Sequence, residues 1–77
     1  MKSNIRPWTW SPERLREIRE KKVLSMSQLA TRVSEFSSAP VQKQMVDRWE
    51  KGSAPNAANL MALCSALRVD PWALSEE

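Results

Sequence analysis

The 77-residue chain has no histidine, one cysteine and one glycine, and each shortage removes a class of chemistry. Without histidine it lacks the commonest general base and the commonest metal ligand. Cys64, standing alone, builds neither a zinc site nor an intramolecular disulfide, so packing supplies the stability and a reducing compartment is expected. Gly52, also alone, cannot form a glycine-rich phosphate cradle. No run approaches the roughly 18 apolar residues of a membrane span. The N-terminus M-K-S-N-I-R-P-W lacks the apolar core of a signal peptide. No membrane association is expected, and the cytoplasm is the expected location. A domain of this length buries only about 60% of the surface its unfolded chain exposes, which leaves little room for an enclosed active site. Catalysis, a metal site and a bound cofactor are all disfavoured.

Twelve lysines and arginines against nine acids give a net charge of +3. Residues 1–35 carry eight basic and four acidic groups and residues 36–77 four and five, so the basic excess is N-terminal. That balance permits nucleic-acid binding without demanding it.

Residues 1–10 contain Pro7, Trp8 and Trp10 with no helical period and read as an irregular N-terminal arm ahead of a domain over 11–77. Ser11 is the expected N-cap of a first helix, with Pro12 at its first position, Glu13 complementing the dipole and Trp10 stapled onto Leu15. This helix should run to about Lys22, with Leu15 and Ile18 inward and Arg19 beside them. Ser25 and Gln28 have the spacing of a capping box, opening a second helix whose Leu29, Ala30 and Val33 share a face. S-E-F-S-S-A-P at 34–40 reads as loop, with Phe36 expected to fold back onto the core. Asn56 is the expected cap of a helix carrying Leu60, Leu63, Cys64 and Leu67 on its core stripe, Cys64 as a structural residue. Asp70 and Pro71 repeat the cap-then-proline pattern and start a short last helix with Trp72, Ala73 and Leu74. Five helices without strands make an all-α, compact five-helix bundle.

The stretch that organises the chain is Gln42–Gly52, Q-K-Q-M-V-D-R-W-E-K-G. As a helix it places Met45, Val46 and Trp49 on one side and Lys43, Gln44, Asp47, Arg48 and Lys51 on the others. Gly52 and Pro55 stop it. Gln42 is a weak cap, leaving Ser38 or water to satisfy the first amides. Lysine, glutamine and arginine on one exposed helix are the side chains that pair with base edges in the major groove. An ordinary solvated face has the same composition, and Asp47 with Arg48 also reads as a surface ion pair.

The ordered motifs resemble the Cro and phage-repressor type of helix-turn-helix protein, the XRE family. The matching pieces are L-R-E-I-R-E-K-K-V-L-S, Q-L-A, V-D-R-W-E-K-G, Pro55, N-L-M-A-L-C-S-A-L and V-D-P-W-A-L, which cover about four-fifths of the chain. The resemblance implies a helix-turn-helix, lambda-repressor-like domain whose recognition helix opens near Gln42 and lies in the major groove. It implies base contacts from Lys43, Gln44, Asp47 and Arg48, with Arg48 and Lys43 suited to guanine, Gln44 to adenine and Asp47 to cytosine N4. It assigns phosphate contacts to Ser25, Ser27, Gln42, Lys51, Ser53, Asn56 and Asn59, and a structural ion pair to Arg19 and Glu50. Between Ala30 and Trp49 this chain has about six residues more than the usual spacing, so either a long loop precedes the recognition helix or the second helix is extended. Met26 stands where relatives place a phosphate-binding glutamine, and Val23 and Arg68 stand where they place turn glycines.

The function this implies is a sequence-specific, double-stranded DNA-binding transcriptional regulator. A repressor or autoregulator of a small phage, plasmid or mobile-element operon is the simplest form, bound as a homodimer to a palindromic operator with half-sites about 34 Å apart. Trp72 and Leu74 of the last helix, with Trp8 and Trp10 of the arm, are the candidate dimer surface, against the alternative that they pack in the core. The other class of function is an antitoxin or protein-binding module on the same fold, with a toxin or polymerase as protein partner.

Overall fold

The computed structural model describes residues 7–76. Four α-helices follow one another: α1 (Pro12–Lys21), α2 (Met26–Ser34), α3 (Lys43–Glu50) and α4 (Ala57–Leu67). The expected fifth helix is instead a single 3-10 turn, Pro71–Leu74. It has room for no more, because the backbone returns to extended geometry at Ser75, which forms an isolated antiparallel bridge with Trp10.

Each start is written locally. The Ser11 hydroxyl accepts the Arg14 N–H at 3.2 Å, and Pro12 fills a position where no amide partner is needed. Ser25 and Gln28 close the capping box in both directions, at 3.0 and 2.8 Å. Asn56 accepts from Asn59 N–H at 2.8 Å, and Asp70 from Ala73 N–H at 3.2 Å. α3 is the exception, since Gln42 makes no side-chain cap. Neither does Ser38, and the first turn closes only through Met45 N–H and Val46 N–H on Gln42 O, at 2.9 and 3.4 Å.

α2 packs on both α3 and α4, and α1 packs on α3 and the 3-10 turn. The core between them contains Leu15, Leu24, Leu29, Val33, Val46, Trp49, Leu63, Leu67 and Leu74, with Ile18, Met45 and Leu60 partly buried against it. Of the arm expected over 1–10, residues 1–6 lie outside the described residues, while 8–10 join the domain. Thr9 and Ser11 pair with the C-terminal segment through Glu76 N–H to Thr9 O and Ser11 N–H to Leu74 O, both 2.9 Å. The Trp8 indole N–H adds a bond to Pro71 O at 2.8 Å.

Phe36 is not folded onto the core; it is 57% exposed. The cause lies at the two ends of its loop. The Ser34 hydroxyl accepts the Val41 N–H at 2.8 Å and stands 2.8 Å from Ala30 O and 3.1 Å from Val41 O. One side chain at the end of α2 therefore holds the N–H of the residue that leads into α3, with its own single proton shared between Ala30 O and Val41 O. With Val41 buried, residues 35–40 are pinched into an excursion that turns Phe36 away from the protein.

Val23 and Arg68 both sit in the left-handed region, with φ of 58° and 60°. Each ends a helix as glycine usually does: Leu24 N–H reaches Arg19 O and Val69 N–H reaches Cys64 O, both at 3.1 Å. A side chain in this region costs roughly 1–2 kcal/mol, and glycine's extra unfolded-state freedom offsets about 0.4–1 of that. Val23→Gly should therefore raise stability by about 0.5–1 kcal/mol, or about 2–8 °C in a thermal melt. An unchanged or lower midpoint would contradict this geometry. Ser34→Ala should cost about 1–3 kcal/mol in urea unfolding, because the Val41 N–H loses its acceptor.

Candidate nucleic-acid interface

α3 is positioned by its apolar side and by its C-terminus. Val46 and Trp49 are buried. Gly52, at φ 120°, lets the chain reverse so that its N–H reaches Trp49 O at 3.4 Å and Ser53 N–H reaches Arg48 O at 3.0 Å. A Cβ at Gly52 would meet nothing within 4 Å, so the backbone angle and not crowding demands glycine there.

Two longer-range ties reach the same helix end. The buried Trp10 indole N–H donates to Trp49 O at 2.8 Å. The Glu50 carboxylate, whose side chain is 1% exposed, takes a two-pronged bond from the Arg19 guanidinium: Nε to Oε2, and Nη2 to Oε1 at 3.1 Å. Arg19 Nη1 also donates to Leu24 O at 2.8 Å, which ties the end of α1 into the same cluster. Arg16 Nε stands 3.6 Å from Oε1 on the solvent side. The hydrogen bond to Glu50 raises the Arg19 pKa above its ordinary value despite partial burial.

With one side so fixed, the helical period turns the remaining residues outward. Lys43, Gln44 and Arg48 are exposed and Asp47 is half-buried. Among the described residues, Lys43, Gln44 and Arg48 make no side-chain hydrogen bond or ion pair. The alternative of a surface pair between Asp47 and Arg48 is not what forms: Asp47 pairs with Lys51, at 3.0 Å, because i,i+4 residues share a face and adjacent residues do not. That pair is too exposed to withhold Lys51 from another anion. Met26, at the start of α2, lines one cleft with Lys43, Gln44 and Asp47.

The expected phosphate contacts sit at element boundaries. Ser25 and Ser27 open α2, Gln42 precedes α3, Lys51 and Ser53 follow it, and Asn56 and Asn59 open α4. Ser25 and Asn56 already use their side-chain oxygens as caps, so what they leave outward is the helix end itself. Of the four expected dimer residues, Leu74 is fully buried within the chain and Trp10 nearly so, both serving the core. Trp72 remains 56% exposed, and Trp8 is half-buried.

Burial pushes the Cys64 thiol above its ordinary pKa, with the Asp70 charge adding to the shift, so it stays protonated and poorly nucleophilic at neutral pH. Among the described residues no group of three or more His, Cys, Asp or Glu is placed to hold a metal, and no helix is long and apolar enough to cross a membrane.

Sequence reasoning overlooked Trp10 as a partner of α3 and Ser34 as the loop clasp, since neither bond follows from a local pattern. Arg19→Ala, which strands a buried carboxylate, should cost about 3–5 kcal/mol of folding stability, whereas Arg16→Ala at the solvent edge should cost under about 1 kcal/mol. Equal losses in denaturant titrations would show that the buried clamp is not what fixes Glu50. Trp49→Ala should cost about 3–5 kcal/mol, enough to unfold a domain this small.

None of the curated proteins and none of the solved structures matches the chain significantly. A helix-turn-helix family model matches residues 15–71, from the first core leucine of α1 to the 3-10 turn. That span takes in α2, α3 and the Arg19–Glu50 tie, and it makes up most of the chain. The chain belongs to the Cro and phage-repressor type of helix-turn-helix family, whose members are DNA-binding transcription regulators.

Proposed function

We propose that this protein binds double-stranded DNA sequence-specifically, as a dimer on a palindromic operator, and represses a small operon of phage, plasmid or other mobile-element type, its own gene included. The observation that carries the reading is the state of α3. Its apolar side and C-terminus are locked inside the molecule, while Lys43, Gln44 and Arg48 face outward without partners of their own. In the major groove Arg48 and Lys43 suit guanine O6 and N7, Gln44 suits adenine N6 and N7, and Asp47 accepts from cytosine N4. Ser25, Ser27, Gln42, Ser53, Asn56 and Asn59 would set the register on the phosphates from helix ends and turns, with Lys51 supplying charge.

A single helix reads only a few base pairs, which favours two copies on half-sites one DNA turn apart. Trp72, the most exposed tryptophan among the described residues, and the flank of Trp8 are the dimer contacts that fit. Repression then needs nothing beyond occupancy that excludes polymerase.

A mobility-shift titration against the DNA upstream of the protein's own gene, at two salt concentrations, tests this. Affinity should fall with salt at a log–log slope of about −0.9 per phosphate neutralised. Arg48→Ala should lose roughly 1–3 kcal/mol of specific binding and relax one base position, with its melting midpoint unchanged. A shifted midpoint with intact binding would make Arg48 a folding residue instead.

A further inference from the structure

The cleft between the start of α2 and the outward face of α3 has a chemistry that the helix surface alone does not reveal. It is lined by Met26 from α2 and by Lys43, Gln44 and Asp47 from α3, so an apolar side chain and a carboxylate share one cleft. Lys51 Nζ meets Asp47 at Oδ2, 3.0 Å away, which leaves Oδ1 to accept from an incoming donor. Met26 is partly buried against the core, so its stem is anchored from below.

A carboxylate next to an apolar side chain asks for a hydrogen-bond donor next to a carbon. On the major-groove edge cytosine offers that pair, the N4 amino group beside C5. Thymine sets its O4 acceptor against the carboxylate, and adenine sets its N7 acceptor beside N6. Guanine presents only acceptors there, which suit Lys43 on the same rim.

We propose that the Met26–Asp47 cleft receives the major-groove edge of a cytosine and that a methyl group on its C5 strengthens binding through Met26. This rests on the DNA-binding reading given above and names one base of its target. Asp47 selects the amino group, and the thioether covers the methyl. Burying one methyl group multiplies affinity by about fourfold.

The test uses the full chain. Duplexes selected from a random pool define the preferred site, and each cytosine of that site is then replaced singly by 5-methylcytosine. One cytosine per half-site should give about fourfold tighter binding when methylated, and the same position as thymine should bind more weakly than cytosine. The methyl gain should vanish in Met26→Gln and persist in Met26→Leu, with both variants still folded at the assay temperature. The preference for cytosine over thymine should vanish in Asp47→Ala. A selected site without cytosine, a neutral or weakening methyl at every position, or a gain that survives in Met26→Gln would overturn the inference while leaving DNA binding intact. Selection of no duplex at all would overturn both.

Discussion

A single carboxylate, that of Glu50, sits where burial would be untenable without Arg19. Removing it from water costs several kcal/mol, and the cost is met only because the guanidinium fork matches both oxygens while its third nitrogen is occupied by Leu24 O. The pairing is therefore specific to one rotation of α3 about its axis. With Trp49 and Glu50 inside, the turn of 3.6 residues puts positions 43, 44, 47, 48 and 51 outside, and any other rotation strands the carboxylate. The Trp10 indole on Trp49 O fixes the same helix end from the opposite terminus of the chain. What the protein presents to a ligand follows from what it fastens within itself.

The loop before α3 is a second constraint, independent of the first. Residues 35–42 separate α2 from α3, and a connection of that length would ordinarily let two helices settle in several relative positions. Ser34 reduces it to a closed excursion by accepting the Val41 N–H, with its own proton between Ala30 O and Val41 O. Residues 35–40 lie between the two ends of that clasp, and Val41 itself is buried in the core. The packing of α2 on α3, and with it the cleft between Met26 and Asp47, is thereby insulated from the length of the loop.

Legibility in the sequence followed the range of the interaction. Ser11 with Pro12, Ser25 with Gln28, Asn56, and Asp70 with Pro71 act within four residues, and all four starts are where those signals place them. The face of α3 followed from periodicity alone, and the family motif supplied Arg19 with Glu50. Phe36 was misread because a phenylalanine in a loop ordinarily finds the core, and the clasp that prevents it depends on a serine with no motif of its own. The last helix shrank to a 3-10 turn because pairing between Trp10 and Ser75 claims the backbone next to it, which no local pattern announces. Trp10 and Leu74 looked like interface residues because a short sequence gives no measure of burial. Once the two termini pair, both lie inside.

The central claim is that the outward face of α3, with the start of α2, is the surface that meets DNA. The most direct test is a titration of isotopically labelled protein with its selected duplex, following backbone and side-chain amide resonances. Large shifts should gather at residues 25–28, 42–48 and 51–59, with the Gln44 side-chain amide among them, while the Trp10 and Trp49 indoles stay in place. Shifts confined to the Trp72 surface or to α1, with 42–48 unmoved, would contradict it.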